Sequence, residues 1–258
     1  MLMARQARSR SESGYYHVML RGNAKENIFR DEQDKLRFVE ILQAKKEGDR
    51  FYLHAFCLMD NHVHLMISEG TEDLSKVMKR INVSYVYYFN QRYKRVGHLF
   101  QDRFKSENVE EDRYLMALAR YIHQNPLKAG MVRKVSDYKW SSYNGYMHEN
   151  NYFAKMLDMD IVLNLFSSHK QTAKKEFAKF MNEESDEIFI DIKEQEEGMD
   201  EEAAKELFQA MQKKQDESEA EPLEQLIKTF RFKTNLSIRK IAAIAGINKD
   251  KVNSILRS

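Results

Sequence analysis

Two apolar runs, Phe51 to Met59 and His62 to Ser68, are separated only by Asp60-Asn61, and this arrangement constrains the fold more than any other stretch of the chain. Short runs rich in aromatic and aliphatic residues read as strands, and a two-residue polar break between them is a turn signal, so the segment predicts a β-hairpin. Side chains alternate across a strand. His62 and His64 therefore share one face of the second arm, while Val63 and Leu65 occupy the other. Two imidazoles on one rigid face make half of a metal site, and they can equally be the polar face of a half-buried strand.

A second pair bears on that choice. Tyr121 and Asn125 are spaced i and i+4 in a segment with helical periodicity, which stacks them on one helix face. Around both pairs the chain carries, in order, Tyr16-His17-Val18, Arg21-Gly22-Asn23, Gly97-His98-Leu99-Phe100-Gln101, Tyr121-Ile122-His123-Gln124-Asn125-Pro126 and Trp140-Ser141-Ser142-Tyr143. With these motifs, residues 14 to 147 resemble the single-tyrosine HUH transposases and, among them, the REP-associated tyrosine transposases. The marks of that family are a His-hydrophobe-His strand and, on a later helix, a nucleophilic tyrosine followed four residues on by Asn or Gln. The resemblance implies that Tyr121 is the nucleophile and that His62, His64 and Asn125 ligate a metal.

A chain of 258 residues exceeds the usual single-domain size, and 42% hydrophobic residues suffice for a core, so a catalytic domain with a smaller appendage is expected. No apolar run approaches the about 20 residues needed to span a bilayer, and Met1-Leu2-Met3-Ala4-Arg5 lacks the apolar core of a signal peptide. The expectation is a cytoplasmic, nucleoid-associated protein. The single cysteine, Cys57, lies within a strand-like run and reads as a buried small hydrophobe. The formal net charge of +2 conceals a segregation of sign. Residues 1 to 148 hold 25 Lys and Arg against 18 Asp and Glu; residues 183 to 224 hold 4 against 17; residues 225 to 258 hold 8 against 1. Two basic blocks around an acidic spacer fit a protein with two parts facing nucleic acid, although a basic face can also be only a solvated one.

In chain order, residues 1–13 read as a basic arm and Tyr15 to Arg21 as the first strand, ended by Gly22-Asn23. Asp31 caps a helix to Lys46, the hairpin follows, and Thr71-Glu72-Asp73 caps a long helix to about Tyr93. That second helix has an apolar stripe through Leu74, Val77, Met78, Ile81, Tyr85 and Tyr88, and carries Lys76, Lys79, Arg80 and Arg92 as candidate nucleic-acid contacts. Gly97 to Val109 supplies a fourth strand. The βαββαβ order implies an α+β fold, a ferredoxin-like sandwich with an antiparallel sheet, which the resemblance also implies. The Tyr121 helix opens at Glu110-Glu111-Asp112, and Pro126 places Asn125 at or just past its last turn. His123, about 200° around the helix from Tyr121, faces away from the site. Trp140 to Tyr143 reads as packing, 148–182 as a helical extension, 183–224 as an acidic linker that is partly helical near Ala203 to Met211, and 225–258 as a helix-turn-helix-like module. In that module Gly246 permits the turn, Asn248 caps the second helix, and Lys249, Lys251 and Arg257 face a DNA groove.

Two imidazoles and an amide oxygen leave coordination positions open and suit Mg²⁺ or Mn²⁺ acting on a phosphodiester, although histidines in isolation would prefer zinc. The resemblance implies cleavage and rejoining of hairpin-bearing single-stranded DNA through a covalent phosphotyrosine. Duplex DNA is a further partner through the C-terminal module, no membrane partner is expected, and the chain acts as a monomer or homodimer. Two rivals stand beside this reading. One is a domesticated DNA-binding regulator that keeps the fold without cleaving. The other is a replication initiator or relaxase, against which the strand order and the Tyr-to-Asn spacing argue.

Overall fold

The structure, a computed structural model, describes residues 10–185, 189, 201–216, 223–234, 236 and 238–256. Most of the expected basic arm, residues 1–9, and the candidate Arg257 lie outside the described residues. Contacts divide the chain into two units, Met1–Ile190 and Asp191–Ser258.

The first unit is built on four strands, Tyr15–Arg21 (β1), Phe51–Leu58 (β2), His62–Glu69 (β3) and Lys105–Val109 (β4). They pair antiparallel in the order β2-β3-β1-β4. The β2–β3 hairpin forms where the Asp60-Asn61 break predicts it, closed by Met59 N–H donating to the His62 carbonyl at 2.9 Å. Glu32–Lys46 (α1) and Leu74–Tyr93 (α2) start at aspartate caps: Asp31 accepts from Asp34 N–H and Asp73 from Lys76 N–H. These two helices pack on one another and cover the sheet face formed by Val18, Leu20, Val63 and Leu65, with Phe29, Phe38 and Tyr85 filling the space between. Asp112–Lys128 (α3) lies on the opposite face, over β2 and β3.

Three local expectations are corrected. The fourth strand begins at Lys105, because Gly97 has φ +105° and the residues after it make only a single bridge, Gly22 to Phe100, beside the end of β1. Pro126 lies inside α3, which runs on to Lys128. Its missing N–H forfeits one bond, yet the Pro126 carbonyl still accepts from Met131 N–H at 3.0 Å, so Asn125 sits in regular helix. The stretch 148–182, expected as an appended extension, shares the main core: Asp160–Asn164 (α5) and Lys170–Met181 (α6) follow the short helix Tyr143–Met147 (α4), and Phe177 stacks on Tyr146 at 4.5 Å. Trp140 to Ser142 line the free edge of β2, with Leu58 N–H donating to the Trp140 carbonyl and Phe56 N–H to Ser142 Oγ. Gly22 admits no side chain, since a Cβ would stand 2.0 Å from the Glu26 carbonyl oxygen.

The second unit is helical. Glu201–Asp216 (α7), Leu223–Thr234 (α8), Ile238–Ala245 (α9) and Lys249–Ile255 (α10) enclose a core of Ala204, Phe208, Ile227, Phe230, Ile241 and Val252. Phe208 meets Phe230 with ring centroids 4.8 Å apart. Within the acidic stretch 183–224, expected as a linker, the described residues do pack: α7 buries its apolar face in this unit, and Phe189 belongs to the core of the first. Gly246, at φ +66°, ends α9, and Ile247 N–H closes back on the Ala242 carbonyl. Among the described residues, no helix is long and apolar enough to cross a membrane.

Candidate active site and metal centre

The site occupies the sheet face under α3. Register places Arg21 opposite His62, Met19 opposite His64, and His17 opposite both Met66 and Glu107, so His17, His62, His64 and Glu107 share that face. From α3, Tyr121 projects onto it, its ring perpendicular to His64 at a centroid distance of 5.4 Å. One turn on, Asn125 Oδ1 stands 3.3 Å from His62 Nε2. The four residues singled out by sequence thus converge.

The hydrogen bonding around His62 says what this cluster can hold. Its Nδ1 lies 2.6 Å from Asn61 Oδ1 and its Nε2 lies 3.3 Å from Asn125 Oδ1, so both ring nitrogens face oxygens. A neutral imidazole has one N–H and can serve only one of them. With the proton on Nδ1, donated to Asn61, the Nε2 lone pair and the Asn125 oxygen face each other, an arrangement that a cation between them would satisfy. Two donors about 2.1 Å from a common octahedral ion stand about 3.0 Å apart at a right angle, close to the observed spacing. His64 adds a third nitrogen. Its ring lies perpendicular to that of His62 at 5.0 Å, it is fully buried, and its Nε2 has no hydrogen-bond partner among the described residues. Burial first, and then His17 and His62 beside it, hold the His64 imidazole well below the ordinary histidine range, which keeps it neutral as a ligand must be. His62, His64 and Asn125 therefore fit a divalent cation. Among the described residues no three His, Cys, Asp or Glu side chains form such a set, so a site here would need the amide oxygen of Asn125.

Tyr121 is only 5% exposed. Phe189 covers it at a centroid distance of 4.9 Å and also meets Tyr114 at 4.9 Å and His17 at 6.2 Å. The chain leading to Phe189 is tied to α3: Gln124 Nε2 donates to the carbonyls of Met181 and Glu183, and Lys128 Nζ to that of Ser185. Lys128 Nζ also lies 5.8 Å from the Tyr121 ring centroid. Sequence reasoning passed over Phe189. Its only signal was the apolar triplet Ile188-Phe189-Ile190 within an acidic run.

His17 and Glu107 were also missed as site residues, because only the β3-β1-β4 order brings them together. His17 Nε2 is 3.0 Å from His64 Nδ1, and His17 Nδ1 is 3.7 Å from Glu107 Oε2. His123 is turned away as expected. It is buried among Tyr143, Tyr146 and Phe177 with Nε2 2.7 Å from Ser142 Oγ. Cys57 is fully buried, and burial pushes its thiol up, out of reach of thiolate chemistry.

The candidate nucleic-acid cations fall elsewhere. Lys76, Lys79 and Arg80 line a groove with Lys45 on the α1–α2 side, across the sheet from Tyr121, and Lys76 and Arg80 approach Glu72 at 3.7 and 3.0 Å. Arg92 pairs at 2.6 Å with both Asp31 and the fully buried Asp34, whose charge demands a partner. Lys249 and Lys251 are exposed on the second unit.

Residues 10–125 match the family described as Transposase IS200 like. A REP-associated tyrosine transposase of Escherichia coli is 24% identical over 132 residues, covering 50% of this chain and 75% of that protein. A Haemophilus influenzae protein provisionally given the same name is 26% identical over 107 residues, covering 35% of this chain and 57% of its own. The chain thus spans little more than half of that relative's length. Among solved structures, a REP-associated tyrosine transposase bound to a REP hairpin aligns with TM-score 0.47 and 22% identity over 58% of this chain and 88% of that one. Through residues 10–125 the chain is thus similar to the IS200-like transposases, and over a comparable stretch it is similar to REP-associated tyrosine transposases.

Proposed function

We infer that this chain cleaves and rejoins hairpin-bearing single-stranded DNA through a covalent phosphotyrosine at Tyr121, with Mg²⁺ or Mn²⁺ held by His62, His64 and Asn125. The observation that carries this is the placement of Tyr121 against His64, one helical turn from the Asn125 oxygen that faces His62. Tyr121 Oη attacks phosphorus, its proton departs, and the P–O3′ bond breaks to leave a 3′-hydroxyl on one strand and phosphotyrosine on the other. Attack by a 3′-hydroxyl reverses the step, releases Tyr121 and restores a phosphodiester. When bound, the metal supplies a Lewis acid that draws charge from the scissile phosphate. His62 and Asn125 orient it from two elements, and α3 carries both a ligand and the nucleophile, so their separation is set within one rigid helix.

DNA backbone would lie along Lys76, Lys79 and Arg80, and the second unit would grip duplex DNA through Lys249 and Lys251 if α9 and α10 act as a helix-turn-helix. The β2-β3-β1-β4 order supports reading the first unit as ferredoxin-like. Burial of Tyr121 under Phe189 favours one alternative, a DNA-binding regulator that does not cut. Incubating the full chain with hairpin-bearing single-stranded DNA and Mn²⁺, and looking for a protein–DNA adduct on a denaturing gel, separates the two. The adduct is expected from the natural sequence and not from Tyr121→Phe, which should still bind the hairpin. An adduct surviving in Tyr121→Phe would place the nucleophile elsewhere.

A further inference from the structure

The candidate metal ligands differ in what stands behind them. His62 rests on its own neighbour, Asn61, whereas His64 rests on a chain of side chains that crosses two strands. His64 Nδ1 is 3.0 Å from His17 Nε2, His17 Nδ1 is 3.7 Å from Glu107 Oε2, and the Tyr114 hydroxyl bonds to Glu107 in turn. The strand order produces this line. β1 runs between β3 and β4, and its register sets His17 directly opposite Glu107 and diagonally beside His64.

We propose that His17, backed by Glu107, is a positioning residue for the metal site, fixing the tautomer and the angle of the His64 ring so that Nε2 is presented to the ion. This rests on the metal reading given above. Each proton in the line has one consistent place. For Nε2 to ligate, a neutral His64 must carry its proton on Nδ1, where His17 Nε2 accepts it. His17 then carries its own proton on Nδ1, which faces the Glu107 carboxylate. Tyr114 donates its hydroxyl to the same carboxylate, so no member of the line is left with two acceptors facing each other. His17 and His64 are fully buried with rings near parallel at 5.2 Å, which leaves neither ring room to flip. Glu107 side-chain exposure is 31%, so its charge can be changed without burying an uncompensated group.

The test is isothermal titration of Mn²⁺ into the full chain, with thermal unfolding recorded in parallel. His17→Leu removes the acceptor for His64 Nδ1–H, and the expected loss of Mn²⁺ affinity is about 10- to 100-fold with unfolding still cooperative. His17→Gln restores an acceptor near the position of Nε2 and should recover most of that loss. Glu107→Gln, at a half-exposed position where folding is not at stake, should weaken Mn²⁺ binding by a smaller factor in the same direction. Unchanged affinity in both His17→Leu and Glu107→Gln, while His62→Ala abolishes binding, overturns the positioning role and leaves the metal site standing. Absence of Mn²⁺ binding in the natural chain overturns both.

Discussion

Truncating Phe189 to alanine should expose the nucleophile. In the structure the Tyr121 ring cannot meet a phosphodiester while Phe189 lies over it at 4.9 Å, so the segment must move before any attack. Phe189 is itself only 5% exposed, and burying a side chain of this size is worth about 1.5–3 kcal/mol. The bonds from Gln124 and Lys128 hold the segment upstream at Met181, Glu183 and Ser185 and are untouched by the substitution, so the loss falls on the covering contact alone. At about 1.4 kcal/mol per factor of ten, the ratio of uncovered to covered forms should rise roughly 10- to 150-fold. The assay is the initial rate of adduct formation with hairpin DNA at a concentration well below saturation. Phe189→Ala should raise that rate, up to the point where the uncovered form predominates, and Phe189→Leu should raise it less. If Phe189→Ala leaves the rate unchanged while hairpin binding and unfolding temperature are also unchanged, the covering contact does not gate Tyr121.

A chain ending at Ile190 should cleave short hairpin DNA normally at saturating concentration, yet bind a duplex-flanked hairpin more weakly and with a shallower salt dependence; equal slopes would remove the second unit from DNA binding. Arg92→Ala should cost about 1–3 kcal/mol in urea unfolding without lowering hairpin affinity, because it strips the countercharge from buried Asp34, while exposed Lys79→Ala should do the reverse. The pH dependence of stability should report His123, which burial pushes down to about 3. Between that value and the about 6.5 of an unfolded histidine, only the unfolded chain takes up the proton, so stability is complete above about 6.5 and falls as the pH drops. From pH 7 to 5 the loss attributable to this residue is about 2 kcal/mol, and His123→Gln, which cannot titrate, should flatten the urea-unfolding profile by that amount. An identical profile in the variant would contradict it.

The elements legible in the sequence were those whose signal is local. The β2–β3 hairpin follows from the Asp60-Asn61 break, α1 and α2 from aspartate caps before apolar stripes, and the Tyr121–Asn125 pair from helical spacing, none of which requires a distant partner. His17 could not be found this way: Tyr16-His17-Val18 looks like any alternating strand until β1 is known to separate His64 from Glu107. The pairing of Arg92 was hidden for a related reason. A basic residue on a helix reads as solvated, and only the fold brings buried Asp34 to it. Low hydropathy likewise hid the role of α7: helix was expected near Ala203 to Met211, but not that Ala204 and Phe208 would join a core in which Phe208 meets Phe230 despite the acidic residues around them.

The central place of β1 has a consequence for synthesis. His17 is 47 residues from His64 along the chain, and Glu107 and Tyr121 are translated later still. A nascent polypeptide that has emerged only through the hairpin owns both histidines but neither the strand that would close the sheet nor the helix that carries the attacking hydroxyl. Since domains acquire structure as units during translation, a chain that stops before α3 lacks both the completed sheet and the Tyr121 hydroxyl.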